Sequence, residues 1–457
     1  MVLISRLYQC PFAVKGGGHA AFAGASSIEH GITISMENFK QAKVAANKQT
    51  VDIGPGLRWI DVYKAVEVDG LSVVGGRVRS LNASRLDRIT DCEQMAPVGV
   101  PGLTLGGGIA HFSNKFGWAC DNVASFELVT ASGVPITISA TSYSDLYWAL
   151  RGGGNNFGVV TNFKLNAFPQ GDLWGGQRMY TEDQFTGVLD AISEFAITGS
   201  PKDLDAAQIV VRAHLDDSKW YTDLLQTFAS APGLGKLAFA NLHYAKPIAN
   251  APVFAPWANL TSIDDTTGFR PMSGMADLLN QGAPAPGAFE TWWGISLKMD
   301  RSLLTFVIDT FYEQEATVAD VEKILLIMAI QPITTSAMKA MQKNGGNALG
   351  LNPSGGPYFV LNFNAAWNDA TDESKYHHVI NNVIQIVKAE AKKRGLDNDF
   401  MYLNYASEYQ DPIGSYGAAN KARLQSISKK YDPTQVFQHL QPGGFKVTKG
   451  APNPVSP

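Results

Sequence analysis

Three Gly-Gly-Gly triplets, at Gly16 to Gly18, Gly106 to Gly108 and Gly152 to Gly154, are the most conspicuous chemical feature of this sequence. Each follows an apolar run: PFAVK, GLTL and YWALR. Glycine loses more conformational entropy on folding than any other residue, so repeated triplets suit strand ends where backbone must approach a ligand or take positive φ. Tight turns in a β-rich domain are the plainer alternative. A row of bare backbone N–H groups favours a phosphate or pyrophosphate. A Rossmann-type nicotinamide site needs a helix opening at the glycines. Here GGGNNFG runs into VVTNFKL, and KGGGHAAFAG into ASSIEHGITISM; both continuations alternate or are β-branched and read as strands. The pattern points to a dinucleotide site of another kind.

The elements around these glycines form more than one unit. A chain of 457 residues exceeds one ordinary core, so two or three packed units are expected. In the middle region, Tyr358 to Trp367 alternates, with Val360, Asn362 and Asn364 on one face and Leu361, Phe363 and Ala365 on the other. AQIVVRAHL and KLAFANLHY alternate too, which predicts an antiparallel sheet. Val379, Ile380, Val383, Ile384 and Val387 fall at helical spacing ahead of Lys392, Lys393, Arg394 and a glycine cap at Gly395, predicting a helix over 376–394 to back it.

Composition narrows the partners. A formal charge of −4, with no basic cluster interleaved with aromatics, argues against nucleic acid. No apolar run reaches the roughly 18 residues of a membrane span; the longest, Ile324 to Ile330, reads as a buried helix. Cys10, Cys92 and Cys120 match no disulfide framework and no metal or redox spacing, so no metal site is expected. The first residues carry no signal-peptide pattern, while Asn259 in Asn-Leu-Thr is a glycosylation acceptor, and the compartment stays open. The expected partner is a small molecule.

Six ordered motifs, PFAVKGGGHAAFAG, VGVPGLTLGGG, KFGWACDNV, DLYWALRGGGNNFGVVT, YLNYASEYQDP and KKYDPTQVFQHLQPGGF, resemble the berberine-bridge-enzyme-like group of the vanillyl-alcohol-oxidase superfamily over nearly the whole chain. The resemblance implies an α+β fold. A two-part PCMH-type FAD-binding domain would span 1–170 and a C-terminal segment, 401–447; an inserted antiparallel-sheet-plus-helix substrate domain would span 171–400, and 448–457 would be a disordered tail. It implies FAD bound by Gly16, Gly17, Gly18, Gly24, Val98, Gly99, Gly106, Gly107, Gly108, Gly153, Gly154, Asn155, Val160 and Asn404. His19 would bond to the flavin 8α carbon; read alone, it is a turn histidine. The second tyrosine of the Tyr-x-Asn-Tyr motif, Tyr405, would take the substrate hydroxyl proton as hydride leaves, with oxygen as final acceptor and hydrogen peroxide as product. A phenol has an ordinary pKa near 10, so this role needs a nearby positive group or hydrogen-bond donors; a core tyrosine is the competing reading. A strand over the motif would put Asn404 on the face opposite Tyr405. Asn362 and Asn364 would contact substrate or else face solvent, and Ala21 and Ile109 replace tyrosines of plant relatives. The enzyme is expected to act as a monomer.

Two departures stand out. Where relatives carry a second, cysteinyl flavin link this chain has Met95, so a single covalent bond is expected, with Cys92 a remote alternative. Between Arg77 and Met95, the polar stretch Val78 to Gln94 interrupts a segment that is continuous in relatives. Its ends are compatible with GT and CAG splice borders, and it reads as a retained intron, a lid loop being the alternative. The start at Met1 leads straight into PFAVKGGGH, without the βαβ unit of relatives. That reads as an N-terminal truncation and predicts that 11–15 lacks a strand neighbour.

Overall fold

The computed structural model describes residues 1–77, 98–215, 235–278, 288–318 and 325–454. The stretch Val78 to Gln94, with Cys92 and also Met95, lies outside them.

The long strand Val159–Pro169 organises the first unit. Its Val-Val-Thr-Asn-Phe-Lys-Leu start buries Val160, Phe163 and Leu165. Thr50–Ile53, Leu71–Val73 and Val123–Val129 all pair with it antiparallel, and Ala42–Val44 and Pro135–Ser139 extend this six-stranded sheet at its two ends. Helices Trp59–Glu67 and Ser144–Leu150 bring Trp59, Tyr63, Val66, Leu146 and Tyr147 into the same core. Phe12–Lys15 stands apart from this sheet. The neighbour it was expected to lack is Ile32–Ser35, which pairs with it in parallel; the alternation of ITIS makes a strand that returns alongside it.

The second unit is a nine-stranded sheet in which every pairing is antiparallel. At its centre Ala206–Leu215, Leu325–Ile333, Tyr358–Trp367 and Phe289–Lys298 lie side by side. Leu325–Ile333 covers most of the run expected to be a helix. Being buried on both faces, its apolar residues show no period, and that removes the signal separating strand from helix. Helices Phe185–Glu194, Arg301–Glu315 and Glu373–Lys393 pack on one face, against Leu361, Phe363 and Ala365. In the last helix Tyr376, Val379, Ile380, Val383, Ile384 and Val387 are buried, and Gly395 beyond it has φ 68°. The other face turns to the first unit, and its Val360 joins that unit's core.

The C-terminal segment ties back through Asn156, which is fully buried. Its Nδ2 donates to Gly153 O at 2.8 Å and Phe445 O at 2.9 Å. Its Oδ1 accepts from Gln438 Nε2 at 3.1 Å and Val447 N at 3.2 Å. The segment expected to be a disordered tail is anchored as well: Thr448 Oγ1 donates to Gln438 Oε1, and Asn453 N to Glu408 O. Its polar, Pro-containing composition hid these bonds; 455–457 lie outside the described residues.

Asn156→Ala removes the side-chain partner of Gly153 O, Phe445 O and Val447 N and one of the two acceptors of Gln438 Nε2. It is expected to destabilise the fold by about 2–4 kcal/mol, read from urea unfolding midpoints, against less than about 0.5 kcal/mol for an exposed control.

Candidate active site

Where the two units face each other, a cavity of ≈ 530 Å³ opens, a size within the roughly 300–1,000 Å³ of small-molecule and cofactor sites. Gly16, Gly17, Gly18, His19, Val98, Gly99, Gly154, Asn155 and Val160 line it from the first unit, Asn362 and Asn364 from the sheet, and Asn404 and Tyr405 from the C-terminal segment. Ala21 and Ile109 are also in the wall.

Close approach explains the first triplet. A Cβ on Gly17 would sit 2.6 Å from Gly99 N and 2.7 Å from Gly99 Cα, and Gly18 adopts φ 69°. The tight turn after Phe12–Lys15 thus lays bare backbone along the cavity and delivers His19 to its wall. The His19 ring meets Trp292 edge-on, with centroids 4.9 Å apart and planes at 72°.

The remaining glycines do other work. Gly24, Gly106, Gly107, Gly108 and Gly153 are not in the cavity wall. Gly24 is an exposed turn residue with φ 77°. Gly106 to Gly108 and Gly152 to Gly154 follow the helices Val100–Leu105 and Ser144–Leu150, not strands. A Cβ on Gly106 would collide with Asn404 Oδ1, one on Gly153 with Ala149 O, and Gly107 and Gly108 take φ 118° and 86°. The N–H groups of Gly108 and Ile109 donate to the Tyr402 hydroxyl oxygen at 3.1 and 3.0 Å. This triplet holds a tyrosine at the cavity wall.

The Tyr-x-Asn-Tyr motif is a 3-10 turn, Leu403–Tyr405, in place of the expected strand, so alternation does not separate Asn404 from Tyr405. Asn404 Nδ2 donates to Leu103 O at 3.0 Å and to the Tyr402 hydroxyl at 2.9 Å. Burial pushes the Tyr402 phenol's pKa up, and neighbouring Tyr405 adds to it. Tyr405 packs over Gly294, where a Cβ would lie 3.3 Å from the tyrosine Cβ. Arg77 Nη2 donates to the Tyr405 hydroxyl oxygen at 3.0 Å and to Gln331 Oε1 at 2.7 Å, and the Tyr405 O–H donates to the same Oε1 at 3.3 Å.

Arg77, Gln331, Trp292, Tyr402 and Glu290 all line a pocket here and were not singled out from sequence. Arg77 and Gln331 are 254 positions apart, and no local pattern links them. Tyr402 alone carried a signal, as the first tyrosine of the motif. Burial raises the Glu290 carboxyl to about 7. Asn362 and Asn364 each keep a buried Oδ1 without a protein partner.

A family profile described as "FAD binding domain" matches residues 2–139, and one described as "Berberine and berberine like" matches 401–442. FAD-dependent monooxygenase tpcD of Cochliobolus heterostrophus is 34% identical over 461 residues, covering 98% of this chain and 82% of the relative. The chain belongs to the berberine-bridge-enzyme-like family of FAD-linked oxidoreductases. Bifunctional solanapyrone synthase of Alternaria solani is 29% identical, over 98% of this chain and 78% of its own length. Berberine bridge enzyme from Eschscholzia californica has the same fold at 16% identity, with a TM-score of 0.71 over 100% of this chain and 87% of its own. 6-Hydroxy-D-nicotine oxidase from Arthrobacter nicotinovorans gives 20% identity and a TM-score of 0.71 over 96% of this chain and 87% of its own. This berberine-bridge-enzyme-like chain is accordingly an FAD-dependent oxidoreductase, and no helix among its described residues is long and apolar enough to cross a membrane.

Its two units also meet at stacked histidines, His111 and His243, with ring centroids 4.2 Å apart. Burial lowers the pKa of both, that of His243 to about 3. Both are thus neutral in the fold, whereas an unfolded histidine takes up its proton near pH 6.5. Their contribution is present above that pH and is lost as pH falls through it towards the folded values. Between pH 7.5 and 5, stability is expected to fall by roughly 2 kcal/mol per histidine. His243→Phe is expected to flatten part of that slope in denaturant titrations at a series of pH values; an unchanged slope would contradict it.

Proposed function

We propose that this enzyme is an oxygen-dependent FAD-linked oxidase of a carbohydrate, alcohol or secondary metabolite, with the flavin tethered through His19 alone and Tyr405 as catalytic base. The observation that carries the proposal is the presence in one cavity of His19 and of a tyrosine hydroxyl that receives a hydrogen bond from a guanidinium, Arg77.

Close-packed glycine backbone, a histidine at the wall and a cavity of ≈ 530 Å³ fit a dinucleotide. FAD bound there would supply the hydride acceptor and the route of the electrons to oxygen. The backbone of Gly16 to Gly18, with Gly99 and Gly154, would hold the phosphates. Arg77 aims a donor at the Tyr405 oxygen and so fixes where the phenol's O–H and lone pairs point. Gln331 accepts from both and fixes their mutual position. Tyr405 then takes the substrate hydroxyl proton. Asn362 and Asn364 orient the substrate's polar groups, while Ile209, Val211, Ile327 and Ala329 face its apolar skeleton and keep water out. We read the working unit as a monomer.

Several relatives carry the name "FAD-dependent monooxygenase", which favours a second reading, in which oxygen enters the product. Turnover under labelled oxygen separates the two: label in peroxide alone supports the oxidase, label in the product the monooxygenase. Slow reoxidation of reduced enzyme in stopped flow would mark a dehydrogenase, and colourless purified protein an inactive paralogue.

Acid precipitation is expected to leave yellow flavin in the pellet of the parent and in the supernatant of His19→Ala. Flavin released equally from both would overturn the histidyl link. Tyr405→Phe is expected to slow anaerobic flavin reduction by about 10²–10⁴-fold while flavin content stays constant.

A further inference from the structure

Among the described residues that line the cavity, Arg77 and Glu290 are the two that ordinarily carry a charge. Their situations differ. Arg77 is already committed, donating to Tyr405 and Gln331. Glu290 makes no hydrogen bond or ion pair with a described residue. Its strand, Phe289–Lys298, shows which way it points: Trp293, Ile295 and Leu297 enter the core beneath the helices, so the pleat turns Glu290, Trp292 and Gly294 to the other face. Glu290 and Trp292 both line the cavity there, and the neighbouring strand sets Ala366, Asn364 and Asn362 opposite Glu290, Trp292 and Gly294 in turn.

Position along this strand separates two ends of the cavity. Tyr405 packs over Gly294, and Glu290 lies four residues away on the same face, roughly 13 Å at the rise of an extended strand. Between them the sheet wall offers Trp292, Asn364 and the apolar Ile327 and Ala329. A ligand spanning this wall meets a guanidinium and a phenol at one end and a carboxyl at the other. Carboxyl and indole side by side are two groups that hold an ammonium, one by a charge-assisted hydrogen bond and one through its π-face. Without such a partner the carboxyl gives up solvation and gains nothing in return, and burial accordingly raises its pKa to about 7.

We infer that Glu290 binds a basic nitrogen of the substrate, so that the enzyme oxidises amino alcohols whose hydroxyl reaches Tyr405 while their ammonium sits at the Glu290 and Trp292 end. Arg77 contributes by repulsion: an ammonium entering the wrong way round would approach a guanidinium, and this fixes the direction of the substrate. The inference rests on the reading that FAD lies in this cavity with Tyr405 at the reacting end, and it adds the class of molecule.

The test uses the flavin-loaded full-length chain and two probes of matched shape. Aminooctanol carries its hydroxyl and amine at opposite ends of an eight-carbon chain; in nonanol a methyl replaces the ammonium. Dissociation constants are read from the change each probe causes in the flavin absorption spectrum at about pH 8, where carboxyl and amine are both charged. The parent is expected to bind aminooctanol roughly 10–100-fold more tightly than nonanol. Glu290→Gln is expected to abolish that preference and leave nonanol affinity unchanged, whereas Glu290→Asp, which keeps the charge, retains part of it. A parent that binds the two probes equally, or a preference that survives in Glu290→Gln, would overturn the inference and leave the reading of the cavity intact. Weakening of both probes alike in Glu290→Gln would make Glu290 a merely structural residue and overturn it too. Should Glu290→Gln fail to fold, Glu290→Ala carries the same comparison. If neither probe perturbs the flavin of the parent, the reading of the cavity fails, and the inference with it.

Discussion

A guanidinium that points a hydrogen at a phenolic oxygen inside a half-closed cavity constrains nearly everything around it. Arg77 follows the strand Leu71–Val73 and the glycines Gly75 and Gly76, Gln331 sits on the central strand of the second unit, and Tyr405 comes from the C-terminal segment. Three distant parts of the chain must close to hydrogen-bond distance for this contact to exist. Its strength depends on exclusion of water, since a charged donor counts for more where the local dielectric is low. The two units therefore act as walls of one cavity, and their packing sets this contact.

The glycines show how position is enforced. Gly17 touches Gly99 so closely that no side chain fits, and the resulting turn carries His19 to the wall. Gly106 makes room for Asn404, which with the N–H groups of Gly108 and Ile109 surrounds the Tyr402 hydroxyl. Tyr402 in turn stands edge-on to Tyr405, 4.8 Å between ring centroids. A sequence feature that looks like three repeats of one device is a cavity-facing turn at Gly16 to Gly18, a packing device around Tyr402 and Asn404 at Gly106 to Gly108, and a third triplet in which Gly153 packs on Ala149 O while Gly154 reaches the cavity wall.

Much of this was legible in the sequence wherever the signal is local. Alternation in Tyr358–Trp367 separated Asn362 and Asn364 from Leu361 and Phe363, because a strand's period is fixed by its pleat, although Ala365 and Ala366 both reach the cavity wall. Helical spacing in Glu373–Lys393 and its glycine cap were equally plain. Local signals failed where tertiary burial erases a period, as in Leu325–Ile333, or where a short turn replaces a strand, as in Leu403–Tyr405. Arg77 and Gln331 were invisible for a deeper reason: their role exists only through a contact between units, and an arginine beside Gly76 has no pattern that announces a partner 328 positions away.

Anaerobic flavin reduction in a double-mutant cycle of Tyr405→Phe and Arg77→Met tests the central claim most directly. If Arg77 acts through the tyrosine oxygen, its loss slows the parent markedly and changes little once Tyr405 is phenylalanine, leaving the two effects strongly non-additive. Losses that simply multiply would show that guanidinium and phenol serve the reaction separately, and would contradict the account given for this site.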